Sequence, residues 1–456
     1  VPAQHFPAMV GRISFFVNAG IRFVTEMCKM RAFVELWDEI CAERYGVEDP
    51  KFRRFRYGVQ VNSLGLTEQQ PENNVYRILI EMLAVTLSKD ARARAVQLPA
   101  WNEALGLPRP WDQQWSLRMQ QILAFETDLL EYDDLFEGNP AVERKVAELK
   151  KGARAELNQI DGMGDAQEKI EYMKSRLVES NAARIAGIES GETTVIGVNK
   201  FQNGEPSPLT AGDDAIMVSD PEAEADQLQR LNDWKTDRDA NAVAKALAEL
   251  KAAALDCTNI MIPSVAAAKA GVTTGEWAEV IRQAFGQYRA PTGVSHNPSN
   301  RTEGLDEIRD RVDAVSSKLG RKLKFLMGKP GLDGHSNGAE QIAARARDCG
   351  MDITYEGIRL TPDEIIEAAQ RDDAHVIGLS ILSGSHISLI TEMMEKMRAL
   401  GLSHIPVVVG GIIPDEDAAA LSAMGVARVY TPKDFELNRI MEDIVILADP
   451  SGVAAQ

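Results

Sequence analysis

The segment 328–338 carries an amine, a carboxylate and an imidazole at short spacing on a glycine-rich loop. It reads Gly-Lys-Pro-Gly-Leu-Asp-Gly-His-Ser-Asn-Gly, so that Asp333 stands two residues before His335. A histidine on such a loop can bind a metal through one ring nitrogen while a carboxylate holds the other. The same residues also suit a plain turn, in which Ser336 or Asn337 caps the following helix.

The chain around this loop alternates between short β-branched runs and amphipathic helical stretches from residue 322 onward. Such alternation predicts a parallel, doubly wound sheet with helices packed on its faces. We predict five strands, at 323–327, 353–356, 376–381, 407–409 and 428–430.

Three loops of small residues lie at the carboxyl ends of these predicted strands. The first strand is followed by the loop with Asp333 and His335, the third ends in the segment 380–385, and the fourth ends in Gly410-Gly411. In a flavodoxin-like strand order, the first and third strands flank the switch point at which such sheets bind ligands. We therefore expect these loops to converge on a deep slot at one edge of the sheet.

The loop motifs Asp-x-His-x-x-Gly, Ser-x-Leu and Gly-Gly resemble, in this order, those of the cobalamin-binding fold in cobalamin-dependent mutases and methyltransferases. The resemblance implies that the cofactor's dimethylbenzimidazole base leaves cobalt and that its nucleotide tail enters the slot. His335 then becomes the lower axial ligand of cobalt, backed by Asp333 and, one step further, by Lys329. The remaining matched positions are Gly338, Ser380, Leu382, Gly410, Gly411, Tyr430 and Thr431. Glycines are expected there because a β-carbon would block the close approach of the tail to the backbone.

Composition limits the other classes of function. A chain of 456 residues has room for two or three domains, and its formal net charge of −18 argues against nucleic acid or an anionic membrane as partner. No apolar run approaches the ~20 residues of a membrane span. The four cysteines are widely spaced and show no metal-type pairing, so we expect a reducing, cytoplasmic location.

The first 130 residues repeat a strand followed by a helix. Strands are predicted at 11–20, 55–61 and 95–99, and helices at 21–44, 73–87 and 115–129. Repetition of this kind suits a (β/α) barrel, in which functional residues lie at the carboxyl ends of the strands.

Several segments within residues 1–200 resemble the adenosylcobalamin-dependent acyl-CoA mutase family, which includes the methylmalonyl-CoA and isobutyryl-CoA mutases. They are Ser14-Phe15-Phe16, Leu66-Thr67-x-Gln69, Glu103-Ala104-Leu105-Gly106-Leu107-Pro108 and Ile196-Gly197-Val198-Asn199-Lys200. Gln97 stands where the methylmalonyl type has a histidine, and the chain is most similar to the ethylmalonyl branch. The resemblance implies a radical rearrangement of ethylmalonyl-CoA to methylsuccinyl-CoA, adenosylcobalamin as cofactor and a homodimer. Methylmalonyl-CoA mutase and a corrinoid carrier without isomerase activity remain the alternatives.

The same resemblance assigns further site residues. Arg56 and Gln97 are expected to bind the substrate, and Gln121 and Glu126 to lie near the adenosyl ribose. A solvated Arg56 at a basic strand start is an equally good interpretation, and a helical glutamate is usually just solvent-facing. Only about the latter half of an eight-stranded barrel is visible. We therefore expect the catalytic Tyr, Arg and His upstream of Val1, and no turnover by this chain alone.

The predicted organisation has three parts. Residues 1–200 form the latter half of a (β/α)8 TIM-type barrel that binds the substrate, and residues 201–320 form a helical extension with the interdomain linker. Residues 321–456 form the flavodoxin-like cobalamin-binding domain.

Overall fold

The computed structural model describes residues 2–207, 209, 217, 220–294, 305–431, 433–434 and 436–451. The chain forms two compact units, of which one comprises residues 1–217 with 291–456 and the other residues 218–290. The larger unit holds two parallel sheets, in line with the predicted α/β class. No helix within the described ranges has the length and apolar character needed to cross a membrane.

The first sheet has three parallel strands in sequence order, β1 (Phe15–Ala19), β2 (Tyr57–Val61) and β3 (Ala95–Gln97). Their register sets Phe15 opposite Tyr57 and Gln60 opposite Gln97. The helices of this part are α1 (Phe6–Val10), α2 (Phe23–Glu43), α3 (Asn73–Thr86), α4 (Pro110–Phe125), α5 (Pro140–Asp161) and α6 (Ala166–Glu189). Adjacent parallel strands with helical crossovers are the repeat that the sequence predicted.

Burial along β2 alternates, with Tyr57, Val59 and Val61 inside and the residues between them half-buried. Because successive strand residues point to opposite faces, this pattern leaves one face of the sheet packed against helices. Tyr57 and Val59 pack with Met30 of α2 and Val85 of α3 in one apolar cluster. The crossover helices therefore cover the same face of the sheet.

The smaller unit is helical and contains α7 (Pro221–Asp237), α8 (Ala240–Leu255), α9 (Met261–Lys269) and α10 (Thr274–Phe285). A capping box of Thr273 and Glu276 starts α10. Both carboxylate oxygens of Glu276 accept hydrogen bonds from the Arg238 guanidinium, at 2.5 and 2.6 Å. This two-pronged pair ties the end of α7 to the start of α10.

The second sheet has five parallel strands in the order β5-β4-β6-β7-β8. They are β4 (Lys324–Gly328), β5 (Asp352–Tyr355), β6 (Val376–Ile381), β7 (Val407–Gly411) and β8 (Arg428–Tyr430). The helices are α11 (Asp306–Leu319), α12 (Asn337–Asp348), α13 (Pro362–Arg371), α14 (His386–Ala399), α15 (Asp415–Ala423) and α16 (Leu437–Ala448). This is the flavodoxin-like order, and β4 and β6 flank its switch point.

Side chains of β4 divide between the two faces of this sheet. Phe325 and Met327 pack with α11, α12 and α16, whereas Leu326 packs with α13, α14 and α15. All six residues of β6 are buried. A strand that is covered on both faces is apolar throughout, which explains why this part of the sequence shows continuous apolar runs.

Candidate functional site

Lys329 follows β4 directly and its side chain is completely buried. Its Nζ donates a hydrogen bond to Oδ2 of Asp333 at 2.6 Å and another to the Ser380 carbonyl oxygen at 3.3 Å. A buried ammonium group is tolerated only when its charge is paired and its hydrogens are bonded. Lys329 therefore anchors the loop after β4 to the end of β6.

Asp333 is the centre of the loop, and its side chain is only 4% exposed. Besides Lys329, it accepts hydrogen bonds from the Leu382 amide at 3.2 Å and the His335 amide at 3.0 Å. Burial by itself would raise the pKa of Asp333, but the hydrogen bonds from Lys329 and His335 outweigh it and lower the pKa to about 2. The carboxylate is consequently ionised at neutral pH.

His335 points its ring outward, with 80% of the side chain exposed. Its Nδ1 lies 2.6 Å from Oδ1 of Asp333. Because an ionised carboxylate only accepts hydrogen bonds, Nδ1 carries a proton, and in the neutral ring Nε2 is the nitrogen with the free lone pair. The bond from the His335 amide to Asp333 is an Asx-turn, so the segment does form a turn, but the Ser336 side chain makes no capping hydrogen bond to α12.

One imidazole suits a metal that arrives with most of its ligands already in place, such as a metal held by a macrocycle. A metal bound by protein side chains alone needs about three or four ligands. Within the described part of the chain, no group of three or more His, Cys, Asp or Glu residues is positioned to hold an ion. The donor set around His335 therefore fits an axial ligand.

A cavity of about 720 Å³ lies beside this loop. It is lined by the seven further residues that the sequence predicted for cofactor binding, namely Gly338, Ser380, Leu382, Gly410, Gly411, Tyr430 and Thr431. The buried apolar side chains Phe325, Met327, Val408 and Ile444 also line it. The predicted slot at the carboxyl edge of the sheet is thus a real cavity.

A side chain would have different effects at the two glycine positions of β7. A β-carbon on Gly411 would stand 1.8 Å from the Ile381 carbonyl oxygen on the neighbouring strand. A β-carbon on Gly410 would meet nothing closer than Tyr430, at 3.9 Å. Gly411 is therefore required by strand packing, while Gly410 keeps space open at the cavity wall.

Two family models match the chain. A family model described as methylmalonyl-CoA mutase matches residues 5–287, and one described as B12 binding domain matches residues 323–434. The chain belongs to the methylmalonyl-CoA mutase family. The domain around His335 is its B12-binding domain.

Individual relatives agree with this assignment. The chain is 74% identical over 456 residues to an ethylmalonyl-CoA mutase of Cereibacter sphaeroides, covering 100% of this chain and 70% of that protein. It is 63% identical over 438 residues to an ethylmalonyl-CoA mutase of Methylorubrum extorquens, covering 96% of this chain and 64% of that protein. It is 33% identical over 431 residues to a methylmalonyl-CoA mutase of Escherichia coli, covering 92% of this chain and 59% of that protein. The predicted likeness to the ethylmalonyl branch is confirmed, and the chain spans between 59% and 70% of the length of these relatives.

Residues 5–287, which match the mutase model and are called the mutase half below, supply the second wall of the cavity. The loop after β2, helix α6 and the segment 193–198 all line it. Arg184 of α6 donates to the Leu64 carbonyl oxygen at 3.1 Å, and Gln341 of α12 donates to the Val178 carbonyl oxygen at 3.2 Å. These bonds fix α6 between the β2 loop and the B12-binding domain.

The other predicted site residues are not brought to this cavity. Arg56 precedes β2 at its amino end, whereas Gln97 is the last residue of β3 and is exposed. Gln121 accepts a hydrogen bond from Arg118 at 2.5 Å on α4, and Glu126 is exposed at the end of that helix. None of the four lines the cavity.

Buried Glu81 and half-buried Glu103 lie near the site and were not singled out as site residues from the sequence. Burial raises the pKa of Glu103, and a hydrogen bond to Ser63 and the nearby His335 partly offset the rise. Burial and the neighbouring Glu26 raise the pKa of Glu81 to about 8, against the effect of Arg77. Glu103 belonged to a segment that carried the family resemblance, but its sequence gave no sign of its proximity to His335.

Proposed function

We propose that the protein is an adenosylcobalamin-dependent mutase that converts ethylmalonyl-CoA to methylsuccinyl-CoA. The observation that carries the proposal is 74% identity to an ethylmalonyl-CoA mutase along the whole chain, against 33% to a methylmalonyl-CoA mutase. The match to the mutase family model over residues 5–287 argues against a corrinoid carrier without isomerase activity. We also propose a cytoplasmic homodimer, as the family resemblance implies.

The residues present fit the cofactor. His335 offers Nε2 to cobalt, while Asp333 holds the proton on Nδ1 and Lys329 neutralises the Asp333 charge. The cavity beyond Gly338, Ser380 and the β7 glycines has room for the nucleotide tail, and its apolar lining can take the flat benzimidazole. Adenosylcobalamin, when bound, supplies the radical chemistry, and the protein binds and orients the groups around it.

The two proposed substrate residues, Arg56 and Gln97, lie at opposite ends of the strands of the first sheet. Arg56 lies just before β2, and Gln97 pairs in register with Gln60, so the two are separated by about 13 Å along the strands at a rise of ~3.3 Å per residue. We propose that the Arg56 guanidinium binds phosphate at the amino end, since planar guanidinium groups suit phosphate oxygens. Gln97, at the carboxyl end of β3, would then face the acyl group.

The test is an assay of the complete gene product with adenosylcobalamin and three substrates: ethylmalonyl-CoA, methylmalonyl-CoA and isobutyryl-CoA. We expect kcat/KM to favour ethylmalonyl-CoA by about 10- to 200-fold, which is what one methylene in a pocket can contribute. A preference for methylmalonyl-CoA would overturn the substrate assignment. Absence of isomerisation with all three would overturn the reaction.

A further inference from the structure

Three buried acceptor atoms in the wall of the cavity have no hydrogen-bond partner in the described structure. They are Oε2 of Glu68, Oε2 of Glu81 and Oδ1 of Asn181. All three belong to the mutase half of the chain. Leaving a buried acceptor unpaired costs free energy, so buried polar atoms in folded proteins nearly always have a partner. Their position in one cavity wall indicates a ligand that brings the missing donors.

Glu81 is the most deeply buried of the three, with 2% of the residue exposed. It lies on α3, and its Oε1 is 3.8 Å from where a β-carbon on Gly65 would stand. The carboxyl group is therefore close to the loop that follows β2, and a side chain at position 65 would approach it. Burial and Glu26 keep the proton on Glu81 at neutral pH, so it can both accept and donate a hydrogen bond.

Glu68 and Asn181 extend the acceptor set along the same wall. Oε1 of Glu68 lies 3.1 Å from Nζ of Lys433, which leaves Oε2 as the atom without a partner. Asn181 is on α6, and Arg184 holds the following turn of that helix against Leu64. The B12-binding domain contributes the other lining residues of the cavity, among them Ser380 and Gly410.

We propose that Glu68, Glu81 and Asn181 bind cobalamin by accepting hydrogen bonds from its N–H and O–H groups. This inference rests on the cofactor of the proposed function. Cobalamin carries primary amides on the edge of its corrin ring and a hydroxyl on its nucleotide ribose, so it brings the donors that the wall lacks.

The test measures the Kd of adenosylcobalamin for the chain, by titration calorimetry and by the change in corrin absorbance. Asn181→Leu and Glu81→Leu remove an acceptor at similar size, and each should weaken binding about tenfold. Asn181→Asp and Glu81→Gln keep an acceptor and should stay within about threefold of the wild type. If circular dichroism shows that a leucine variant is unfolded, Asn181→Asp and Glu81→Gln can still be compared with the wild type.

Tyr355→Phe is the matched control. The Tyr355 hydroxyl is also buried without a partner, but it does not line the cavity. Its removal should leave the Kd unchanged. Binding by both leucine variants as tight as by the wild type would overturn the inference and leave the proposed function standing. Failure of the wild type to bind adenosylcobalamin would overturn both.

A second titration with cobinamide, which lacks the nucleotide tail, identifies the donors. If the leucine variants weaken the binding of both compounds, the amides of the corrin edge are the donors. If they weaken only the binding of cobalamin, the donor is on the tail. Either result supports the proposal, because in both cases the wall contacts the cofactor.

Discussion

At the scale of single residues, the site depends on a chain of hydrogen bonds that runs from the protein interior to the surface. Lys329 is fully buried, Asp333 is 4% exposed and His335 is 80% exposed. Each member fixes the next by a hydrogen bond of 2.6 Å. The buried ion pair thus orients the exposed imidazole before any ligand is bound.

Lys329→Met should destabilise the folded chain by about 3 kcal/mol, because it leaves the buried Asp333 without its counter-charge. Urea unfolding measures the loss. Lys318→Met is the control, since Lys318 forms a pair of equal length, 2.6 Å, with Asp449 at the surface. Exposed pairs contribute less than about 1 kcal/mol. Equal losses in the two variants would contradict the buried-pair argument.

Glu81 should make stability depend on pH. Its pKa is about 8 in the folded chain against an ordinary value of 4.5, so the folded state keeps a proton that the unfolded state loses in this window. The free energy of unfolding should fall as the pH rises between these values, by at most about 1.4 kcal/mol per pH unit. Glu81→Gln should flatten the slope in denaturant unfolding at several pH values. An unchanged slope would show that Glu81 ionises normally.

The sequence predicted the residues of the loop but not the buried acids. Asp333 and His335 form a local motif whose spacing is visible without a structure. Glu81 lies in a helix whose sequence resembles any amphipathic helix, and only tertiary burial distinguishes its carboxyl group from a solvated one. The same holds for Glu103.

At the scale of elements, the strands of the B12-binding domain could be predicted closely. The predicted strand 376–381 is the observed β6, and 428–430 is β8. The predicted strand 407–409 was too short, because β7 continues through Gly410 and Gly411, which pair with Ser380 and Ile381. Glycines suggested a loop from the sequence, whereas close packing of two strands is what requires Gly411.

Gly411→Ala should destabilise the chain by about 3 kcal/mol or more, since its β-carbon would meet the Ile381 carbonyl oxygen and force β6 and β7 apart. Gly410→Ala has free space and should cost less than about 1 kcal/mol. Thermal unfolding of the two neighbouring variants provides the comparison. Equal stability of Gly411→Ala and Gly410→Ala would show that the Ile381 carbonyl does not exclude a side chain at position 411.

At the scale of the larger unit, polar contacts join α6 to the B12-binding domain. Glu189 accepts hydrogen bonds from the Arg345 guanidinium and from the Leu437 amide at the start of α16, both at 3.2 Å. Lys174 pairs with Glu340 at 2.8 Å. The sequence showed two domains in the expected order, but it could not show that α6 forms a wall of the cavity, because that contact joins residues far apart in the chain.

Glu189→Ala should loosen this wall, because the α16 amide and Arg345 lose a shared acceptor. We expect faster hydrogen exchange in α6 and a loss of about 1–2 kcal/mol in stability. Glu179→Ala is the control, since Glu179 pairs only with Arg176 on the same helix at the surface in the described structure. Equal exchange in α6 in both variants would show that Glu189 does not hold the wall.

We propose that His335 is the protein ligand of cobalt, and electron paramagnetic resonance tests this most directly. The chain is prepared with ¹⁵N-labelled histidine, reconstituted with cob(II)alamin of natural isotopic composition and compared with an unlabelled sample. If the imidazole binds cobalt, each cobalt line changes from a nitrogen triplet to a doublet on labelling, and His335→Ala abolishes this splitting. If the labelled protein keeps the triplet, the cofactor's own benzimidazole is still the ligand, and the account of the site is wrong.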